Sequence, residues 1–279
     1  MKNKRLELRT ITSILFSFLL TLLIFILVVN MGLCYGLFSN NCIISTLNEA
    51  NLYNKVYEEL QQNIYEIMDS YDMPLELFDD VIDQKRVYMA CNTYVNKALQ
   101  KETAQISTDR LLADLNDKLG LYYESMGQAV DTEEAQALIH DLEQLYISKV
   151  QIPVIGMVFE LRKGFASVLK LAYPLPLLFT AVIIVCLLRL YRHKYRSVRY
   201  LNYAMLSASL LLISFCSAFI ISKGYKWFDI LPDYYGDFFV AFGRQTIQAC
   251  LYAGIFTLLL SAVFIAFTAY MKNQYYNNK

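Results

Sequence analysis

Histidine is nearly absent from this 279-residue sequence: there are only two, His140 and His193. A Ser-His-Asp triad or a histidine-built metal site would have to use one of them, and neither stands in a recognisable arrangement. His140 has Asp141 and Glu143 nearby but no second histidine on its segment, so it reads as a surface residue. No HExxH, P-loop or GxGxxG pattern occurs. These absences point away from an enzyme and leave no metal or cofactor site to nominate.

Charge is missing in four long blocks. Nothing charged lies between Arg9 and Glu49, or within 171–188, 200–222 and 245–271. A helix needs roughly 20 mostly apolar residues to cross a bilayer, so each block holds a candidate span. The apolar cores are 11–34, 171–191, 201–221 and 246–271. The first follows a basic opening, "MKNKRLELR", but outruns the ~7–15 residues of a secretory signal and lacks a small-x-small cleavage site. It reads as an uncleaved signal-anchor. Apart from Arg189 at the end of the second, the span cores hold no Asp, Glu, Lys, Arg or His, which counts against a self-sufficient ion-coupled pump.

What charge there is has a pattern. The stretch "RLYRHKYRSVRY" (189–200) carries Arg189, Arg192, Lys194, Arg196 and Arg199 and no carboxylate. The segment before the first span has four bases against Glu7, and the one after the last span has Lys272 and Lys279 with no acid. Lys and Arg beside a span are retained on the cytoplasmic side. Four spans would put these three basic segments on one side, giving a plasma-membrane, multi-pass protein with both termini cytoplasmic. The basic stretch is then a topological anchor; the sharper reading is a docking patch for anionic lipid. Between Gly36 and Lys170 there are 11 bases and 21 acids, a net of −10, and no exposed basic domain to neutralise nucleic-acid phosphates.

Strand signals are also missing. No period-two alternation persists and no Asn-Gly or Asp-Gly hairpin occurs. The polar remainder instead reads as helices. Thr46 and Glu49 form a capping box before a stripe of Tyr53, Val56, Tyr57, Leu60, Ile64 and Met68. A short face of Leu75, Phe78, Val81 and Ile82 follows Asp72 and Pro74. Next come Val87, Cys91, Tyr94, Val95 and Ala98. A start at Ser107 or Thr108 leads into Leu111, Leu112, Leu115, Leu119 and Tyr122. A second capping box, Asp131 with Glu134, leads into Ala135, Leu138, Ile139, Leu142 and Leu145, with Pro153 ending or kinking the helix.

The expected fold is therefore an all-α membrane protein: four transmembrane helices with a helical-bundle extracytoplasmic domain inserted between helices 1 and 2. The expected divisions are a cytoplasmic tail (1–10), helix 1 (11–35) and the outer domain (36–168). Helix 2 (169–191), the basic cytoplasmic loop (192–199) and helix 3 (200–222) come next. An aromatic outer loop (223–245), helix 4 (246–271) and a second tail (272–279) complete the chain.

That outer loop is the most unusual stretch. Residues 225–242 hold eight aromatics, including the sole tryptophan, and Asp229, Asp233 and Asp237 recur every fourth residue. The plain reading is an aromatic belt folded back on the membrane surface. The functional readings are a weak cation site or a partner-binding lip built from Trp227, Phe228, Asp229, Asp233, Tyr234, Tyr235 and Asp237. Pro232 and Gly236 argue against one continuous helix there. Of six cysteines, Cys186, Cys216 and Cys250 fall within spans, while Cys42 and Cys91 offer one candidate disulfide beside Cys34. In the fourth span Ala249, Ala253, Thr257 and Ser261 recur at four-residue steps, and the third has Ser207, Ser214, Ser217 and Ala218. Such rows allow close helix packing, within the chain or in a homo-oligomer through helices 3 and 4.

The order of spans, with "NLYNKVYEELQQNI" and "YDMPLELFDDVIDQKRVYMACNTYVNKAL", resembles uncharacterised four-span membrane proteins of Gram-positive bacteria with a helical extracytoplasmic domain between spans 1 and 2. The resemblance implies an architecture and no activity or site residues. The span order is also similar to cell-division permease-like proteins that couple an ATPase to a wall hydrolase, which have a longer cytoplasmic N-terminal segment. The expected function is a non-catalytic membrane protein whose acidic outer domain senses or binds a cell-surface partner or ligand. The alternative is a membrane subunit of a transport or secretion complex. Expected partners are membrane lipid and a protein reached through the outer domain or the basic loop.

Overall fold

The computed structural model describes residues 2–74, 77, 81–100, 106–127, 133–191, 194–224 and 233–277. Among them all regular structure is helical, with four helical stretches long and apolar enough to cross a membrane. The chain divides into two compact units: Met1–Thr46 with Leu161–Lys279, and Leu47–Glu160.

The first unit is built on α1 (Lys2–Tyr35), α8 (Pro174–Leu190), α9 (Lys194–Ile221) and α10 (Asp233–Asn277). α1 packs on the other three, and α9 packs on α8 and α10. The shared core runs through Leu20, Ile24 and Val28 of α1, Leu187 of α8, Ala204, Ala208, Leu212 and Cys216 of α9, and Cys250 and Ala253 of α10. The outward faces stay apolar: Phe18, Leu178, Phe215, Leu259 and Val263 are all exposed. An exposed apolar face of this extent suits hydrocarbon and not water.

Close packing has a backbone cause. A Cβ placed on Gly32 of α1 would lie 2.6 Å from Cys250 Cα, and one on Gly36 2.8 Å from Thr246 Cα. Gly32 and Gly36 are one turn apart, so a glycine-x-x-x-glycine step at the end of α1 takes the backbone of α10 directly against it. Both lie just after the buried Asn30, whose Nδ2 donates to the Ala172 carbonyl at 2.8 Å. That carbonyl closes α7 (Pro153–Ala172). Its helical partner would be the N–H of residue 176, which is proline and has none. Asn30 therefore supplies the donor that Pro176 removes.

Several helix ends differ from the sequence expectation. α1 begins within the segment expected as a tail, and α9 begins at Lys194, so most of the expected 192–199 loop is the first turns of a helix. Ser197 is buried and its hydroxyl donates to the Leu187 carbonyl at 2.7 Å, satisfying an acceptor at the end of α8. α10 likewise takes in 233–245, half of the expected outer loop, and Gly236 does not interrupt it. A glycine costs about 1 kcal/mol in a helix interior, which the burial of Phe238, Phe239 and Phe242 outweighs. Phe238 stacks on Phe242 with centroids 5.6 Å apart.

The expected capping box at Thr46 is also displaced. α2 (Asn40–Glu49) contains Thr46 near its end, with the hydroxyl donating to the Cys42 carbonyl at 2.7 Å. α3 (Leu52–Ser70) starts after Asn51, which sits at φ 52°. Asn is among the few residues that tolerate this left-handed position.

Candidate functional site

The second unit holds α3, α4 (Gln84–Leu99), α5 (Asp109–Ser125) and α6 (Glu133–Val150). α6 packs on α3, α4 and α5, and α4 packs on α3. The stripes largely follow the sequence: Val56, Leu60, Ile64 and Met68 on α3, Val87, Cys91 and Val95 on α4, Leu111, Leu115 and Leu119 on α5, Leu138 and Leu142 on α6 are buried. Two tyrosines shift by one position, because Tyr123 and Tyr146 are buried in place of Tyr122 and Leu145. Both continue a strict four-residue step from the stripe before them. Polar cross-links add direction. Lys149 Nζ lies 2.5 Å from Glu59 Oε1, the Thr108 hydroxyl donates to Glu143 Oε1 at 2.6 Å, and the Tyr71 hydroxyl donates to Asp141 at 2.9 Å.

A cleft of about 390 Å³ opens on this unit between α4 and the start of α5. That volume lies within the ~300–1,000 Å³ range of small-molecule pockets. Its floor is Val87, Leu111 and Tyr146, all buried, and Met89 stands half-exposed at its side. Arg86, Asp109 and Arg110 supply charge at the rim. Arg86 pairs with Asp114 on α5. Burial raises the Tyr146 phenol above its ordinary value, with Cys91 adding and Arg86 opposing, so it stays a neutral hydroxyl. The chemistry on offer is an apolar floor with two guanidinium groups and one carboxylate at the edge, suited to a partly apolar ligand or side chain with a polar or charged end. Nothing in the sequence singled out this cleft. Arg86 and Arg110 are 24 residues apart, and the packing of α4 and α5 on α6 brings both to one cleft.

The residues nominated from the sequence fare differently. Trp227, Phe228 and Asp229 lie outside the described residues, as do the side chains of Asp233 and Tyr234. Tyr235 is half-buried and Asp237 exposed, both on the first turns of α10. The bridge between Cys42 and Cys91 is not formed. Cys91 is buried in the α4 stripe, where desolvation pushes its thiol up to about 12, and the Cys42 thiol donates to Gln245 Oε1 at 3.4 Å. Gln245 Oε1 also lies 2.9 Å from the Ser45 hydroxyl and 3.0 Å from the Thr46 hydroxyl. Of the small-residue rows, Ala253, Thr257 and Ser261 are buried inside the first unit, while Ser207, Ser214 and Ala218 remain exposed. His140 is exposed, and among the described residues no group of three His, Cys, Asp or Glu is placed to hold a metal ion.

Compared with known proteins, the chain matches no family model, no curated protein and no solved structure.

Proposed function

We propose that this is a non-catalytic plasma-membrane protein whose acidic helical unit faces out of the cell and binds a cell-surface ligand or partner at the α4–α5 cleft. The observation that carries this reading is the cleft itself: an apolar floor, Arg86, Asp109 and Arg110 at the rim, and a volume suited to one ligand moiety. The charge layout supports the orientation, since the basic segments flank the spans and the unit between the first two is acidic. The resemblance to four-span Gram-positive membrane proteins agrees with this arrangement.

Two experiments test it. The first is orientation. Single cysteines at the exposed Glu133 and Asn273, in a cysteine-free background, should separate cleanly under an impermeant thiol reagent on intact cells. Glu133→Cys should label and Asn273→Cys should label only after permeabilisation; the reverse pattern sinks the topology. The second is the site. A photo-crosslinking residue at Met89 should capture an extracellular species that one at Leu121, exposed on α5 away from the cleft, does not. Arg110→Glu should reduce that capture about tenfold or more, in line with loss of a charge-assisted contact. Equal capture at both positions, or none, removes the cleft from consideration.

A further inference from the structure

At the end of α9 and α10 where the basic residues gather, the two helices leave a second cleft of about 310 Å³. Arg199 and Asn202 line it from α9, and Thr268 and Lys272 from α10. We infer that this cleft holds the phosphate headgroup of an anionic phospholipid. The inference is independent of what the acidic unit binds.

Charge comes first. The sequence has no Asp or Glu anywhere in 161–228 or after Asp237, so α9 itself and all of α10 beyond its first turns are without carboxylates. Arg199 and Lys272 are both exposed and both line the same cleft. Two cations line one cleft with no acid on either of its helices nearby, so an anion seated there would be attracted by both. The Arg199 guanidinium lies 5.4 Å from the Tyr203 ring centroid, which restrains it at the cleft wall.

Polar order in the cleft is already specified. The Thr268 hydroxyl donates to the Phe264 carbonyl at 2.7 Å, so its oxygen is left to accept. Asn202 Nδ2 donates to it at 2.9 Å. That fixes the amide orientation and leaves Asn202 Oδ1 buried with no hydrogen-bond partner, in a side chain only 4% exposed. A buried unsatisfied acceptor is costly to leave unpaired, and it sits on a residue that lines this cleft. A small shift of the amide on ligand entry would let a headgroup hydroxyl donate to it.

The walls distinguish a lipid from a soluble anion. Seven residues beyond Arg199 on α9 stands Leu206, and seven residues before Lys272 on α10 stands Ile265, both lining the cleft. Seven residues of helix rise ~10 Å, more than the ~6 Å headgroup layer of one leaflet. The same cleft therefore passes from cationic to apolar on both helices in the distance over which a phospholipid passes from phosphate to acyl chain. A basic pocket between membrane helices is a recurrent binding place for anionic headgroups.

The test uses the full chain in phosphatidylcholine nanodiscs with and without phosphatidylglycerol, scored by lipid retained on the protein in native mass spectrometry. Wild type should retain phosphatidylglycerol selectively, and the double variant Arg199→Gln with Lys272→Gln should lose about tenfold or more of that retention. Lys223→Gln, a basic residue outside the cleft, should change nothing. Arg199→Lys with Lys272→Arg should restore retention, which separates lost charge from a damaged fold. Retention unchanged in the glutamine double variant overturns the proposal, as does an equal loss in Lys223→Gln. Soluble glycerol phosphate should not displace the lipid; displacement at millimolar concentration would assign the cleft to a soluble phosphate and overturn the lipid reading.

Discussion

Replacing Gly32 by leucine should separate α1 from α10 and cost about 3 kcal/mol or more. The size follows from which atoms meet. A Cβ at position 32 would fall 2.6 Å from the Cα of Cys250, a backbone atom that cannot rotate away. Overpacking a well-filled core costs about 1–3 kcal/mol where side chains can yield; here two helices must part, and the contacts around Cys250 and Ala253 part with them. Gly36→Leu should behave alike, with its clash on Thr246 Cα at 2.8 Å. Gly254→Ala meets only the side chains of Ile213, at 3.1 Å, and Leu212, and should cost under about 1 kcal/mol. Gly156→Ala meets nothing within 4 Å and should be neutral or stabilising through helix propensity. Thermal unfolding of the four purified variants in mild detergent gives the ranking. A Gly32→Leu protein as stable as wild type would mean that the α1–α10 contact is not formed.

The four apolar stretches and the helical stripes were legible in the sequence because each rests on a local signal. Twenty uncharged residues mark a span, and a three-to-four residue step marks a buried face, whatever the rest of the chain does. Helix ends were less legible. The 192–199 stretch reads as a loop because it is charged, yet charge at the end of a membrane helix is compatible with more helix, and Ser197 ties that helix back to α8. The 233–245 stretch reads as a loop because it holds Gly236, yet a glycine in a helix costs less than burying three phenylalanines returns. Thr46 and Glu49 match a capping box that the backbone does not use, because α2 already occupies those residues.

Pairings between distant segments were the least legible. The small-residue rows on α9 and α10 stand out in the sequence, but Gly32 of α1 and Gly36 just after it also bring the backbone of α10 close, through a glycine-x-x-x-glycine step at the end of an uncharged run. Asn30 was likewise passed over as one polar residue in an apolar block. Its role depends on Pro176, 146 residues away, and no local pattern links them. The cleft of the second unit is of the same kind. Each of its arginines looks like ordinary surface until α4 and α5 are both packed on α6.

The second unit should unfold in alkali well before its backbone is chemically damaged, because its core holds three weak acids that must stay neutral. Desolvation raises Cys91 from 9.0 to about 12, and burial raises Tyr53 and Tyr146 above the ordinary phenol value of 10.0. Tyr53 is 3% exposed and its hydroxyl has no hydrogen-bond partner, so nothing in the core stabilises a phenolate. For an acid whose folded value lies above its unfolded one, the stabilising contribution is complete below the unfolded value and is lost as the pH climbs to the folded one. For Cys91 that window runs from 9.0 to about 12. Within it each pH unit removes about 1.4 kcal/mol, with the two tyrosines adding to the loss above pH 10. Hydrogen exchange of α3–α6 in the full-length protein should therefore accelerate steeply from pH 9 to 11, beyond the intrinsic rise with hydroxide. Cys91→Ala should start less stable by about 1 kcal/mol for its cavity but lose stability more slowly with pH, because one proton has been removed from the linkage. Parallel pH profiles for wild type and Cys91→Ala would show that the thiol is not held neutral by the core, and that α4 does not pack with Cys91 facing inward.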